Sequence, residues 1–501
     1  IMKKTPLEVS QAIAPLLVDV TAEMASQPAM ITQERQSLEG SILTKLSQPG
    51  RKWVALKQKV TNEQKQAIDS LDIDGLGFEE YFVRDYPEAS TAAHILGFVG
   101  KNQAGEDQGY FGIEGSLDKE LRGQSDRQTF NKDALGFHLF FDDLEETPIT
   151  NGRDVVLTIR RDIQHTVEES LKTGIERYGA VGGDVVIMDP KTGQILAMAS
   201  YPNYEPGLFY EYPSQYHKNP IIANTFEPGS IFKVLTVAAG IDAGVINENT
   251  ICTKCATARQ IGEYTIRTWN DTYNPDTTII DGLAKSDNTA MIFIAELLGE
   301  KRFTEYLKKF GIGNATHIEL QEDTPTPFRK DWKFIDLATS SFGQGIATTG
   351  MQMIRAVGAI ANDGKMMRPT IISKVIDHQK ETEIPVQPVE EGQVVSAESA
   401  RRVGVMMEYA AQKGEAQWTR SKTHSVAGKT GTAQIPIAGH YDQENTIASF
   451  IGFSPVEEPK FVMLVTLRQP QSSQWASETA APLWYNIANK LYLLLNIPAD
   501  R

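Results

Sequence analysis

The feature that most constrains this chain is that its strand-like segments stand at two distant places, with a long helical block between them. "GGDVVIMDPKTGQILAMAS" carries two apolar runs joined by Asp189-Pro190-Lys191-Thr192-Gly193, which is hairpin chemistry. Far downstream come "AGKTGTAQI", "TIASFIGF" and "KFVMLVTLR", three strand candidates at short spacing. A closing apolar helix, "PLWYNIANKLYLLLNI", can cover them. From Gly229 to about Gly364 the text is mainly helical. A hairpin early and three strands late predict one α+β domain, whose antiparallel sheet is assembled from both ends of its sequence and flanked by a large helical subdomain. Ahead of it "DVVLTI" reads as a strand, and Ile163, Val167, Leu171 and Ile175 fall at helical spacing. The acidic, turn-rich stretch 141–153 is the expected linker. It gives a mixed α/β pedestal over residues 1–150, with helices in "PLEVSQAIAPLLVDVTAEMA" and "TNEQKQAIDSL", and a second domain over 151–501. A chain of 501 residues exceeds one ordinary core of ~100–200 residues.

Inside the helical block, "EPGSIFKVLTVAAG" is apolar nearly all round, and such a helix is normally buried. Burial makes Lys233 costly. A lysine in a dry place must be paired or must shift its pKa downward, and it can then accept a proton at neutral pH. Ser230 lies three residues earlier on the same helix face, just after Pro228-Gly229, where a helix start favours negative charge. The pair reads as an activated serine nucleophile with its base. The same spacing recurs at Ser116 and Lys119, without an apolar helix, and reads there as a surface coincidence.

Two further motifs accompany the first. Ser286-Asp287-Asn288 stands directly ahead of an apolar helix. Ser286 and Asn288 can point into one cleft, the hydroxyl to relay a proton and the amide to bind a peptide group. All three residue types also favour a helix cap, and alternation turns Asp287 away from the cleft, as a capping or solvated aspartate. Lys-Thr-Gly is written three times. Lys172-Thr173-Gly174 reads as a helix end and Lys191-Thr192-Gly193 as the hairpin turn. Lys429-Thr430-Gly431 lies in a strand of small residues with Thr432 and Ala433, along which an extended peptide can pair; Lys429 and the hydroxyls of Thr430 and Thr432 can hold a carboxylate.

The net charge of −15 and sequence pI near 5.2 exclude nucleic acid as partner, which would call for a basic face. The only cysteines, Cys252 and Cys255, form a lone C-x-x-C without the second pair of a four-ligand zinc site, leaving free thiols or a local disulfide. The histidines make no metal-binding pattern, so no metal or cofactor is expected. No apolar run approaches the ~18 residues of a membrane span.

Ser-x-x-Lys, Ser-Asp-Asn and Lys-Thr-Gly, in that order, are the signature of serine β-lactamases and penicillin-binding proteins. The wider text resembles class B penicillin-binding proteins, closer to the division-type branch. The resemblance is carried by "EPGSIFKV", "SSFGQGIATTGMQMIRAVGAIANDGKMMRP", "VAGKTGTAQIP" and "IASFIGFSPVEEPKFVMLVTL", and before residue 150 by "RDYPEASTAAHILGFVG" and "GIEGSLDKELRG". It implies a penicillin-binding, β-lactamase-like transpeptidase fold and a D,D-transpeptidase acting on peptidoglycan stem peptides ending in D-Ala-D-Ala, trapped by β-lactam antibiotics. Ser230 would be acylated, Lys233 would take its proton, Ser286 would relay a proton and Lys429 would support that relay. Asn288, Thr430, Gly431 and Thr432 would hold the peptide, with the N–H groups of Ser230 and Thr432 as oxyanion hole. The resemblance also implies membrane partners, a glycosyltransferase and division or elongation machinery, on the extracytoplasmic face of a bacterial cell membrane. The family begins with a short cytoplasmic tail and one membrane anchor; this chain begins "IMKK", and an upstream segment is expected to have been removed. The same motifs would serve a β-lactamase, a β-lactam sensor or a D,D-carboxypeptidase, though a β-lactamase or sensor needs no such pedestal. A non-catalytic wall scaffold would not need the motifs intact.

Overall fold

The structure is a computed structural model that describes residues 4–501 except 21–23, 25, 52, 80–82, 124–150, 328, 330 and 438–439. Most of the expected linker 141–153 therefore lies outside the described residues. The chain divides into two compact units, Ile1–Arg84 and Asp85–Arg501. In the first, the helices Pro6–Ile13 and Asn62–Asp69 each start with a capping box, Thr5 with Glu8 and Thr61 with Gln64, which satisfies their free N–H groups. Val9, Ile13, Ile42 and Ile68 form its small core. The helix Pro28–Leu46 is not predicted by the sequence pattern. It buries Ile42 alone, so its text carries almost no apolar period.

At the centre of the second unit lies a five-stranded antiparallel sheet of β1 (Gly182–Met188), β2 (Ile195–Tyr201), β3 (Ala427–Ile437), β4 (His440–Ser454) and β5 (Phe461–Arg468). Their spatial order is β3-β4-β5-β1-β2. β1 pairs with β5 in register Val185↔Val465, so the two ends of the domain's sequence meet in mid-sheet, as expected. Both faces are covered, which is why these strands read as apolar runs and not as alternating text. Val185, Ile187, Met463 and Val465 face Ile163, Val167 and Leu171 of α1 (Arg161–Tyr178) and Trp484 and Leu491 of α6 (Ala480–Leu494). Val186, Met188, Val462 and Leu464 face the helical block. Each such side chain, fully buried, contributes about 1.5–3 kcal/mol. The helical block holds α2 (Lys233–Asp242), α3 (Asn288–Lys309), α4 (Gly350–Ala361) and α5 (Ala397–Lys413).

Details depart from the sequence reading. Lys172-Thr173-Gly174 does not end a helix: α1 runs on to Tyr178 and closes at Gly179 with φ of +62°. Gly174 is an interior contact, where a Cβ would come 2.7 Å from a Leu483 methyl. The middle segment is not wholly helical, because Arg259–Ile261 and Tyr264–Ile266 form a hairpin. "DVVLTI" supplies a strand, Asp154–Leu157, to a separate three-stranded sheet with Ile372–Asp377 and Thr382–Pro385. Cys252 and Cys255 are joined in a buried disulfide, which settles the alternative left open by their spacing.

Candidate active site

Ser230 sits in a 3-10 turn, Gly229–Phe232, that leads directly into α2 at Lys233. Pro228 and Gly229 place that turn; Gly229 adopts φ of +55° and donates its N–H to the Gly343 carbonyl at 2.9 Å. Ser230 is half-buried. Lys233 is fully enclosed, with apolar Ile231, Phe232, Val234 and Leu235 around it in the core. Its Nζ donates to the Ser286 carbonyl at 2.6 Å and lies 3.1 Å from Ser286 Oγ.

Ser286 is placed by the start of α3. Asp287 caps that helix, its Oδ1 accepting from Thr289 N and Ala290 N and from the Thr289 hydroxyl. The turn puts Ser286 in the left-handed region, φ of +58°, which a serine adopts at a cost and which aims both its carbonyl and its hydroxyl at Lys233. Asn288, the first residue of α3, is half-buried and donates from Nδ2 to the Arg267 carbonyl at 2.9 Å.

The third motif arrives on β3, the outer strand of the sheet, which lies against the Ser230 turn. Gly431 is required there: a Cβ would stand 2.9 Å from Ile231 Cγ2 and 3.1 Å from Ile231 N. Lys429 is buried, and its Nζ donates to Ser286 Oγ at 3.1 Å, to the Thr430 carbonyl at 3.1 Å and to Thr430 Oγ1 at 3.2 Å. Ser286 Oγ is thus shared by Lys233 and Lys429. Two Nζ atoms each 3.1 Å from one oxygen stand at most ~6 Å apart, where two positive charges repel by on the order of 3 kcal/mol at an effective dielectric of ~20, so both lysines do not comfortably stay charged. Burial, reinforced by the Lys429 charge, pulls Lys233 well below the ordinary lysine range, against the opposing pull of Asp287 and Glu415. Burial also lowers Lys429, with Glu415 opposing. A lysine with a lowered pKa beside a serine hydroxyl can act as a base; the hydroxyl it contacts among the described residues is that of Ser286, while Ser230 lies in the turn that opens the same helix.

The other copies of the motifs lie elsewhere. Ser116 is exposed and donates to the Glu319 carbonyl at 2.8 Å; Lys191-Thr192-Gly193 occupies the β1–β2 turn. A family profile described as the penicillin binding protein transpeptidase domain matches residues 183–490, more than half of the chain. The chain belongs to that family.

A second profile, the penicillin-binding protein dimerisation domain, matches residues 2–157 of this penicillin-binding protein. Stage V sporulation protein D of Bacillus subtilis is 32% identical over 86% of this chain and 67% of its own length. The peptidoglycan D,D-transpeptidase FtsI of Escherichia coli is 28% identical over 90% of this chain and 74% of its own. Among solved structures, penicillin binding protein 3 of Mycobacterium tuberculosis in complex with aztreonam superposes with a TM-score of 0.72 at 28% identity, over 84% of this chain and 92% of that one. Penicillin binding protein 2X of Streptococcus thermophilus gives 0.76 at 25% identity, over 96% and 75%. No helix among the described residues is long and apolar enough to cross a membrane.

Three features of the penicillin-binding protein's site escape the sequence reading. Glu415, in "QKGEAQW", accepts from Thr430 Oγ1 at 3.2 Å. Glu227 accepts from the Gly345 N–H at 3.0 Å and from the Tyr441 hydroxyl, and burial raises its pKa. Trp269 donates to the Lys285 carbonyl at 3.3 Å and packs edge-on against Trp475 at 5.3 Å, while the next residue, Ala476, donates its N–H to Thr432 Oγ1 at 3.1 Å. The loops beside Ser286 and Thr432 thus meet through two indoles. None of these contacts has a local spacing by which sequence could announce it.

Proposed function

We propose that this chain is a serine D,D-transpeptidase that cross-links peptidoglycan stem peptides, of the division-type branch, working on the extracytoplasmic face of a bacterial membrane. The observation that carries the reading is the convergence of Lys233 and Lys429 on the Ser286 hydroxyl, beside the turn that holds Ser230. Ser230 Oγ attacks the penultimate D-Ala carbonyl, and Lys233 takes its proton. The oxyanion forms against the N–H groups of Ser230 and Thr432, where one donor is typically worth on the order of 100- to 1,000-fold in rate. The peptide C–N bond then breaks. Ser286 passes the proton that Lys233 took on to the departing D-Ala amine, with Lys429 supporting the relay, so that Lys233 is neutral again. An amine of a neighbouring stem peptide attacks the ester, its proton passes to Lys233 and on to Ser230, and the cross-link forms. The outer edge of β3 lies at the end of the sheet and suits an extended peptide, held by Asn288, Lys429, Thr430 and Thr432 with Gly431 allowing close approach. The resemblance of the wider text supports the branch assignment and membrane partners that include a glycosyltransferase.

Asp287 and Glu415, the acidic residues of the cluster, bond to the start of α3 and to Thr430. Glu227, the other carboxylate described at the site, bonds to Gly345 and Tyr441, so each of these carboxylates has a protein partner other than a water at the Ser230 ester, and a penicilloyl adduct should persist. Intact-protein mass spectrometry with benzylpenicillin tests this. One stable added mass is expected on the native chain and on Ser116→Ala, and none on Ser230→Ala. Labelling that survives in Ser230→Ala rejects the nucleophile, and rapid penicillin turnover without an adduct favours a β-lactamase.

A further inference from the structure

Two lysines share one enclosed cluster, and the three motifs do not say which of them holds the proton. The hydrogen bonds around each do. Lys429 Nζ has three acceptors, Ser286 Oγ and the carbonyl and hydroxyl oxygens of Thr430, which matches the three donors of an ammonium. Lys233 Nζ has two neighbours among the described residues, the carbonyl and hydroxyl oxygens of Ser286, which suits a neutral amine with a lone pair to spare.

The Thr430 hydroxyl accepts from Lys429 while its single proton is directed away from that lysine. It donates to Glu415 Oε2 at 3.2 Å. Glu415 is half-buried and follows Gly414, which is held fast: a Cβ there would stand 2.4 Å from the Ala410 carbonyl and 2.7 Å from the Ala284 carbonyl. The charged groups acting on the cluster are Lys233 on α2, Lys429 on β3, Asp287 at the start of α3 and Glu415 after α5. Asp287 has its Oδ1 committed to three bonds of the helix cap. Glu415 is the carboxylate hydrogen-bonded to the β3 motif itself.

We propose that Glu415 is a positioning residue of the transpeptidase site: it turns the Thr430 hydroxyl oxygen toward Lys429 and holds the cluster's proton there, which leaves Lys233 as the neutral base. This rests on the reading of Ser230 as the acylated serine. The test is the rate of acylation by benzylpenicillin across the pH range, in the full chain. The native rate falls on the alkaline side as Lys429 loses its proton. In Glu415→Gln the amide oxygen still accepts from Thr430, but the charge is gone, so that fall moves to lower pH by about one unit, a tenfold change in proton affinity. Glu415→Asp returns it toward the native position. Thr430→Val, which removes the bridging hydroxyl, moves it in the same direction as Glu415→Gln. An alkaline fall that stays in place in either Glu415→Gln or Thr430→Val overturns the proposal, as does an equal loss at every pH that Glu415→Asp does not restore. A native chain that is not acylated at Ser230 overturns the functional reading instead.

Discussion

Lys233 shows how far the chemistry of one residue follows from its immediate neighbours in the chain. An ammonium among Ile231, Phe232, Val234 and Leu235 has to be paired or neutral, and the fold leaves it enclosed, with uncharged Ser286 as its hydrogen-bond partner. Its pKa lies far below that of the unfolded chain. Below the free lysine value of about 10.4 the unfolded state therefore binds this proton more tightly than the folded state does, and folding is penalised; the penalty fades as pH rises to that value. Lys233→Met should abolish acylation while leaving the protein as stable as the native chain or about 1–2 kcal/mol more stable at pH 7. That advantage should shrink toward pH 10, as measured by urea unfolding at the two pH values. An advantage that grows with pH contradicts the neutral assignment. Glu415 is not legible in this way. "QKGEAQW" gives no hint of burial or partner, and Glu415 meets Thr430 only because the segment after α5 returns to the outer strand.

At the scale of elements, the start of α3 does two tasks that the sequence presents as alternatives. Ser286-Asp287-Asn288 could be a helix cap or part of a cleft. The structure divides the work: Asp287 caps, and the turn it holds sets Ser286 at φ of +58° beside both lysines. Asp287→Ala should cost about 1 kcal/mol of stability through the lost cap and should slow acylation, because Ser286 is no longer held. Asp287→Asn, whose amide oxygen caps about as well, should keep both near native. Thermal unfolding and penicillin acylation rates decide this. An Asp287→Asn protein as slow as Asp287→Ala would show that the charge matters and not the cap. The helix Pro28–Leu46 marks the opposite case, an element with so little apolar period that no pattern discloses it.

The whole molecule divides compactly at residues 84 and 85, while the two family profiles change over between residues 157 and 183. Residues 93–112, which lie between these divisions, are tied to the rest of the second unit. The Tyr204 hydroxyl donates to the Ala93 carbonyl, Phe98 stacks on Phe209 at 4.0 Å, and Gly112 N–H donates to Glu322. A fragment of residues 85–501 should therefore fold and be acylated at the native rate. A fragment of residues 151–501 uncovers Tyr204 and Phe209 and gives up the burial of Ile95, Phe98 and Ile113, each worth about 1.5–3 kcal/mol, so it should melt at a markedly lower temperature. Equal melting temperatures for the two fragments would show that residues 85–122 add nothing to the second unit.

Sequence by itself determined whatever local chemistry dictates: the β1–β2 hairpin from its turn residues, the other strands from their short apolar runs, the start of α3 from its capping residues, and the three motifs from residue type and spacing. Each of these depends on neighbours a few positions away. Tertiary structure alone decided what depends on closure. It brought Ser286 Oγ between Lys233 and Lys429, residues 53 and 143 positions away in the chain, and it paired Thr430 with Glu415. Such contacts cost loop-closure entropy that only the assembled core repays, so nothing in a local window records them. The assignment of one charged and one neutral lysine is likewise a property of the folded cluster, because it arises from burial and from acceptors that no single segment supplies.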